Sequence, residues 1–212
     1  MEQQTENNSI WSNLKKLYAL KPVRCNTLIL CTTWSTGAFT FYFVEFYTKF
    51  VPTQNIYLLQ IIIGCADIVS SATLSIMLTK VRAKTSLLYI LSTMAVASLT
   101  LYLSVGLTGY ADFERGVDHI DLGLSLIFAG LVFVIRIFAH NLVSLSYYLN
   151  TSLTPPLLLS SVFALTNITC RSATILVPFV AELVSNPSIL VTVNSTLTLI
   201  AVMFLKTDTR KL

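Results

Sequence analysis

Long apolar runs, each about the length of a membrane-spanning helix, dominate the chain. A bilayer core of about 30 Å requires roughly 20 apolar residues in a helix, and six stretches meet or approach that length. They are Thr27–Tyr47, Ile56–Leu78, Ser86–Leu107, Leu122–Tyr147, Leu157–Ala181 and Ser188–Leu205. None of them alternates strictly between apolar and polar residues, as a strand of an outer-membrane barrel does. The pattern therefore predicts an all-α membrane protein with six transmembrane helices.

Shorter polar connections, most of which contain proline or glycine, separate these runs. The longest connection, about residues 108–121, is too short to form the core of a separate domain. We therefore predict three parts. They are a polar and basic cytoplasmic N-terminal segment over residues 1–26, a transmembrane bundle over residues 27–205 and a cytoplasmic C-terminal tail over residues 206–212.

Composition agrees with a membrane location. Hydrophobic residues make up 54% of the 212 residues and charged residues only 11%, whereas soluble domains have about 25% charged residues. Such a chain could not bury its apolar side chains and still present a charged surface to water. The net charge of +4 comes from basic residues dispersed between apolar runs. Because they form no single patch, we expect membrane lipid as the surroundings and no nucleic-acid partner.

The basic residues mark one side of the membrane. On the side of both termini, the predicted spans leave ten Lys and Arg residues: Lys15, Lys16, Lys21, Arg24, Lys80, Arg82, Lys84, Lys206, Arg210 and Lys211. The opposite side has two, Lys49 and Arg115. An excess of Lys and Arg in short loops marks the cytoplasmic side. Both termini are therefore predicted to lie in the cytoplasm or the equivalent compartment.

Four charged residues lie inside the predicted spans: Glu45, Asp67, Arg136 and Arg171. Each charge near the bilayer centre costs roughly 2.5–3.5 kcal/mol on insertion scales, so it must face a partner, a water-filled cavity or a ligand. The acids lie on the first and second spans and the bases on the fourth and fifth. The third and sixth spans contain no charged residue. We interpret this as a three-plus-three inverted repeat in which the third helix of each triplet faces lipid.

Helical spacing gives several spans one polar face. In the second span this face comprises Gln60, Gly64, Asp67, Ser71 and Ser75. In the fourth it comprises Arg136, His140, Ser144 and Tyr147, and in the fifth Asn167, Arg171, Thr174 and Pro178. Pro178 is expected to kink its helix. On the first span Trp34, Phe41 and Tyr42 could form an aromatic wall for a flat organic molecule.

Structural roles compete with ligand binding for the charged residues. We favour Asp67 as the partner of Arg136 or Arg171 in an ion pair that holds helices together. Glu45 lies near the outer end of its span and is expected to extend to water. Arg171 is equally compatible with neutralisation by Asp67 and with anion binding, where Arg136 would add positive potential.

No motif of a known catalytic or metal site occurs. HExxH, GxSxG and P-loop patterns are absent, and the four cysteines lack the paired spacing of a metal site. We therefore expect no enzymatic activity, no catalytic residues, no cofactor and no metal.

The polar and charged positions resemble the C-terminal half of organic anion and cation transporters of the major facilitator superfamily. Ile56–Gln60 followed by Gly64 and Asp67 is similar to the eighth helix of that family, and Trp34 followed by Phe41 and Tyr42 to the seventh. Arg136 and Arg171 fall at basic positions of the tenth helix and of the eleventh helix of anion-type members.

The resemblance implies half of a twelve-helix major facilitator fold that handles a small organic ion, with Arg171 favouring an anion. The expected substrate-binding residues are Arg171, Arg136, Asn167, Tyr42 and Gln60. Asp67 and Glu45 are expected to be charge-pair or structural residues. The expected partner is a second six-helix bundle, from another copy or a separate chain, or a larger membrane complex.

The chain also departs from the family. Ser152 and Leu159 stand where the family has an acid and an arginine that form charged latches. Two alternatives to a half-size transporter therefore remain. One is a non-transporting structural subunit of a larger complex that retained the fold, and the other is a truncated product of a twelve-span transporter.

The predicted topology can be tested by cysteine accessibility. A cysteine introduced at Arg82 should react only with reagents that reach the cytoplasmic side, whereas one introduced at Arg115 should react from outside. External labelling at residues 80–84 would contradict the predicted orientation.

Overall fold

The computed structural model describes residues 21–48, 56–108, 122–184 and 188–206. All regular secondary structure in these ranges is helical. The helices are α1 (Lys21–Tyr47), α2 (Ile56–Lys80), α3 (Ala83–Thr108), α4 (Leu122–Leu153), α5 (Leu159–Ile175), α6 (Val177–Leu183) and α7 (Ser188–Met203). A 3-10 turn, Pro156–Leu158, precedes α5.

Five helical units are long and apolar enough to cross a membrane. They are α1, α2, α3, α4 and the unit Pro156–Leu183, which contains α5 and α6. The apolar helix α7 has 16 residues, about 24 Å at 1.5 Å per residue, which is shorter than the bilayer core. The prediction of an all-α, multi-pass integral membrane protein is confirmed, with the sixth predicted span as the shorter helix.

Helix α1 begins before the predicted boundary at Thr27. Residues 21–26, placed by the prediction in the N-terminal segment, are already helical. Asn26 is buried, donates to the carbonyl of Lys206 at 2.7 Å and accepts from the Lys206 amide at 3.1 Å. A polar side chain satisfied in this way can be buried in a helix. The remainder of the predicted terminal segments, residues 1–20 and 207–212, lies outside the described residues.

Helix α4 is also longer than predicted, because it continues past Tyr147 to Leu153. Its last turns contain Asn150, which is buried and donates to the hydroxyl of Thr166 on α5 at 2.6 Å. The sequence pattern ended at the polar residues, but the neighbouring helix provides them with a partner.

The fifth predicted span is interrupted near its C-terminal end. Helix α5 stops at Ile175 and α6 starts at Val177, just before Pro178. Proline has no amide hydrogen and its ring clashes with the preceding turn. The Leu176 amide instead donates to the carbonyl of Ala173 at 3.3 Å. The expected kink at Pro178 is therefore present as a break between two helices.

Helices α1 and α4 pack against each other at the centre of the bundle. Helix α1 also packs on α5, α6 and α7, whereas α4 also packs on α2, α3 and the start of α5. Helices α3 and α7 pack closely together behind the central pair. The main neighbour of α2 is α4 and that of α5 is α1. Helices α2 and α5 therefore flank the α1–α4 pair on opposite sides.

The main hydrophobic core fills the space around this central pair. Its largest fully buried side chains come from α1, α2, α3, α4 and α6: Leu30, Leu59, Leu87, Ile90, Leu91, Met94, Phe128, Val132, Leu142, Leu145 and Val177. At one end of the bundle, Lys84 at the start of α3 donates to the carbonyls of Met203 and Leu205, both at 2.8 Å. A cation is favourable at that position because the last carbonyls of a helix carry partial negative charge. The two helices α3 and α7 are thus joined at this end.

Gly37 allows the close approach of α1 and α4. A Cβ at this position would lie 3.1 Å from the backbone nitrogen of Val143 and 3.2 Å from Leu142 Cγ. A backbone atom cannot move away as a flexible side chain can. The absence of a side chain at Gly37 therefore allows the two helices to cross at a short distance.

Replacing Gly37 by Ala is expected to destabilise the protein by about 1–3 kcal/mol through overpacking, measured as thermal stability in detergent. Gly130→Ala on α4 is the matched control, since a Cβ there meets nothing within 4 Å. Equal stability of the two variants would contradict the close helix contact.

Candidate functional site

Arg136 joins three helices through its guanidinium. From α4, Nε and Nη2 donate to the two carboxylate oxygens of Asp67 on α2, both at 2.9 Å. Nη2 also donates to Glu45 Oε1 on α1 at 3.0 Å, and Nη1 to the carbonyl of Phe41 at 2.8 Å. The residue is 3% exposed. Four of the five guanidinium N–H groups are therefore occupied.

Aromatic rings close the cluster on one side. The Arg136 Cζ atom lies 3.5 Å from the centroid of the Phe41 ring, a cation–π contact. His140, one turn further along α4, places Nδ1 3.3 Å from Asp67 Oδ1 and its ring edge-on to Phe41. The carboxylate of Asp67 thus lies between two basic side chains of α4.

The geometry separates the roles expected of the charged residues. Asp67 pairs with Arg136, one of the two partners that the charge placement offered, and not with Arg171. The Glu45 carboxylate accepts from Arg136 Nη2 and the side chain remains 46% exposed, so its expected extension to water stays a prediction. The role of Arg136 in substrate binding stays a prediction; its side chain is buried, and four of its five N–H groups donate to Asp67, Glu45 and the Phe41 carbonyl.

The cluster is not electropositive. Two carboxylates, Asp67 and Glu45, surround one guanidinium, which leaves one surplus negative charge when His140 is neutral. The expectation that Arg136 adds positive potential to a ligand site stays a prediction; in this arrangement two carboxylates accept hydrogen bonds from it.

A cavity of about 200 Å³ lies between α1, α4 and α5, next to this cluster. Its lining consists of Trp34, Ala38, Phe41, Tyr42, His140, Val143, Asn167, Cys170 and Arg171. Arg171 is exposed, and within the described ranges its guanidinium has no hydrogen-bond or ion-pair partner. The cavity therefore has one unpaired cationic group on its wall.

The aromatic wall of the cavity is held in place by ring contacts. Trp34 packs edge-to-face on Phe163 and Tyr147, with centroids 5.3 and 6.1 Å apart. Phe41 and Tyr42 form another edge-to-face pair at 5.4 Å. Such contacts restrict ring motion and present rigid apolar surface to a ligand.

The structure brings together three of the five predicted substrate-binding residues. Arg171, Asn167 and Tyr42 line the same cavity. Gln60 does not, because it lies near the start of α2 and donates to Thr48 Oγ1 at 3.1 Å. The sequence analysis missed Ala38, Val143 and Cys170 as lining residues. Helical spacing offered a signal for all three, since Ala38 lies one turn after Trp34, and Val143 and Cys170 lie three residues after His140 and Asn167.

A second cavity, of about 320 Å³, lies on the other side of α5, between α1, α5 and α7. Hydroxyl and amide groups dominate its polar lining: Thr32, Ser35, Thr36, Thr169 and Asn194. None of its described lining residues is charged. It therefore offers weaker selection among ligands than the cavity with Arg171.

Chemically, the first cavity offers an ion pair to an anionic group and apolar contact to an attached ring or chain. Among the described residues, no group of three or more His, Cys, Asp or Glu side chains could hold a metal ion. No protein-family model matches the chain, and no curated protein sequence matches it with significant similarity.

Replacing Asp67 by Asn should destabilise the protein, because buried Arg136 then faces only one carboxylate. Removing one member of a buried pair typically costs about 3–5 kcal/mol, and the remaining Glu45 contact places the expected loss near the lower end. Thermal stability and folded yield are the measurements. The double variant Asp67→Asn with Arg136→Gln should recover part of the loss.

Ser71→Ala serves as the control for this pair, because Ser71 is exposed and its hydroxyl donates only to the Asp67 backbone carbonyl. A wild-type melting temperature for Asp67→Asn would show that the ion pair does not hold the helices together.

Proposed function

We propose that this chain is a half-size unit of an organic-ion facilitator whose substrate is an amphipathic organic anion. The unpaired guanidinium of Arg171 beside an aromatic wall is the observation that supports this most directly. A planar guanidinium matches the two oxygens of a carboxylate or sulfonate. Away from bulk water, such a pair is stronger than at a protein surface.

Other lining residues suit the rest of such a ligand. Asn167 lies one turn before Arg171, and its amide can donate a further hydrogen bond to the anionic group. Trp34, Phe41 and Tyr42 would cover an attached ring. Arg171 thus selects charge, whereas the aromatic side chains select an apolar body.

Anions are favoured over cations by the distribution of the carboxylates. Asp67 and Glu45 both accept hydrogen bonds from Arg136, and neither lines the cavity. An organic cation in the cavity would meet the positive charge of Arg171 without a carboxylate on the wall to receive it.

The helix packing supports the proposed three-plus-three repeat. In such a repeat, α1, α2 and α3 of the first triplet correspond to α4, α5 and α7 of the second. The α1–α5 contact then has the α4–α2 contact as its counterpart, and the α3–α4 contact has the α7–α1 contact; all four occur. The α1–α4 and α3–α7 contacts each join a helix to its own counterpart. This is the pattern expected of half a major facilitator fold with binding near the midplane.

The proposed transporter also needs a second six-helix bundle. Helices α2 and α5 form most of the two least buried spans, and a second bundle would cover their exposed faces. The count of basic residues supports an orientation with both termini in the cytoplasm. The absence of a catalytic motif from the sequence supports transport or binding rather than enzymatic activity.

A non-transporting subunit of a larger complex is the second candidate. It is favoured by Arg136, whose donors hold α1, α2 and α4 together instead of facing a ligand. The substitutions of the latch positions by Ser152 and Leu159 agree with this role. Copurification with a large assembly, without binding of organic anions, would favour it.

Ligand binding to the detergent-extracted protein tests the proposal. Benzenesulfonate should raise the melting temperature, whereas benzyltrimethylammonium, of similar size and opposite charge, should not. In Arg171→Gln, affinity for the sulfonate should fall about 10- to 100-fold, the equivalent of a charged hydrogen bond of about 1.5–3 kcal/mol.

Ser172→Ala is the matched control, since Ser172 is exposed on the same helix but does not line the cavity. The proposal fails if Arg171→Gln binds the sulfonate as tightly as this control, or if the wild type prefers the ammonium ion.

A further inference from the structure

Two helices of the bundle present polar side chains that no other part of the described chain covers. On α2, Gln60 and Ser71 are exposed, and Asp67 is partly exposed. On α5, Arg171 is exposed, and Asn167 and Thr174 are partly exposed. Hydrocarbon cannot hydrogen-bond or neutralise such groups. These two polar stripes therefore require another polar surface within the membrane.

The position of the stripes suits a second copy of this chain. Helices α2 and α5 lie on opposite sides of the α1–α4 pair. His140 on α4 contacts Asp67 of one stripe and lines the cavity together with Arg171 of the other, so the stripes lie at opposite edges of one face of the bundle. Two copies of one sequence insert in the same orientation and can be related by a two-fold axis along the membrane normal. Rotation about that axis brings α2 of each copy against α5 of the other, so the same contact forms twice.

The polar residues also match in depth and spacing. Successive spans alternate in direction, so α2 and the facing α5 run antiparallel. Asp67 lies next to the middle of α2 (Ile56–Lys80), and Arg171 is close to the middle of the unit Pro156–Leu183. With Asp67 opposite Arg171, Gly64 falls opposite Thr174 and Ser71 opposite Asn167, because the residue spacing is the same in reverse order.

Charge and shape are complementary in this register. Two carboxylates, Asp67 and Glu45, face one guanidinium, Arg136, beside α2, whereas the Arg171 guanidinium on α5 has no ion-pair partner within the described chain. A Cβ at Gly64 would meet nothing within 4 Å, so the facing helix can approach closely at that level.

We propose that this chain forms a two-fold dimer in which Arg171 of each copy pairs with the carboxylates of Asp67 and Glu45 in the other. The inference rests on the proposed function in that the partner copy supplies the second bundle of the transporter. An organic anion between the two copies would replace the carboxylates as the counter-ion of Arg171. Dimer formation itself requires no ligand.

The test uses the full chain in lipid nanodiscs without added organic ligand. Native mass spectrometry should show two copies of the 23.5 kDa chain. Arg171→Glu should convert most of the dimer to monomer, because it places like charges together, whereas Ser172→Ala should leave the dimer unchanged.

Cross-linking tests the register independently. With Cys65→Ser as background, Ser71→Cys combined with Asn167→Cys should give an intermolecular disulfide. Val69→Cys combined with Thr169→Cys is the control, because these positions have the same depth but lie on the opposite faces of the two helices. Equal cross-linking of the two pairs would overturn the proposed register and with it the dimer.

The outcomes separate this inference from the proposed function. A wild-type monomer that binds benzenesulfonate through Arg171 overturns the dimer and leaves the anion site in place. A dimer with the stated cross-link that binds no organic anion supports the inference and overturns the transport proposal. A single copy bound to a different six-span chain also overturns the dimer.

Discussion

The buried guanidinium of Arg136 is the group on which the arrangement of the first, second and fourth helices depends. An arginine in the middle of a membrane span must be neutralised, and here the two carboxylates come from different helices, Asp67 on α2 and Glu45 on α1. The contact with Asp67 uses both oxygens and therefore fixes direction as well as distance. Loss of either helix from its place would leave a charge without a partner in a medium that cannot solvate it.

Close packing holds the rest of the bundle around this cluster. Gly37 lets α1 approach the backbone of α4, and this proximity allows the carbonyl of Phe41 and the carboxylate of Glu45 to reach Arg136. At one end of the bundle, Lys84 and Asn26 join the last turn of α7 and the residues after it to α3 and α1. Polar contacts therefore set the position of the helices, and apolar side chains fill the space between them.

The same ion pairs determine what the cavity can bind. Within one copy, Asp67 and Glu45 both pair with Arg136 and neither lines the cavity, so Arg171 on the cavity wall has no carboxylate partner from its own described chain. One basic residue is thereby structural and the other free, although both lie near the middle of their spans. An unpaired guanidinium next to Trp34, Phe41 and Tyr42 is the basis both for the proposed anion site and for the proposed contact between two copies.

Hydrophobic length and charge placement, both visible in the sequence, determined the helical class, the number of apolar runs and the four charged positions inside them. They also indicated that Asp67 needs a basic partner and that Arg171, Asn167 and Tyr42 could share a site, because helical spacing places residues on a common face. Only tertiary packing decided which arginine pairs with Asp67. Arg136 and Arg171 lie at similar depth, but Arg136 is on α4, the main neighbour of α2, whereas Arg171 is on α5. The same holds for Glu45, which turns to Arg136 because α1 crosses α4 closely, and for Gln60, whose partner Thr48 lies just beyond the end of α1. Periodicity within one helix cannot reveal which neighbour a face will meet, and that neighbour determines whether a charge is paired or free.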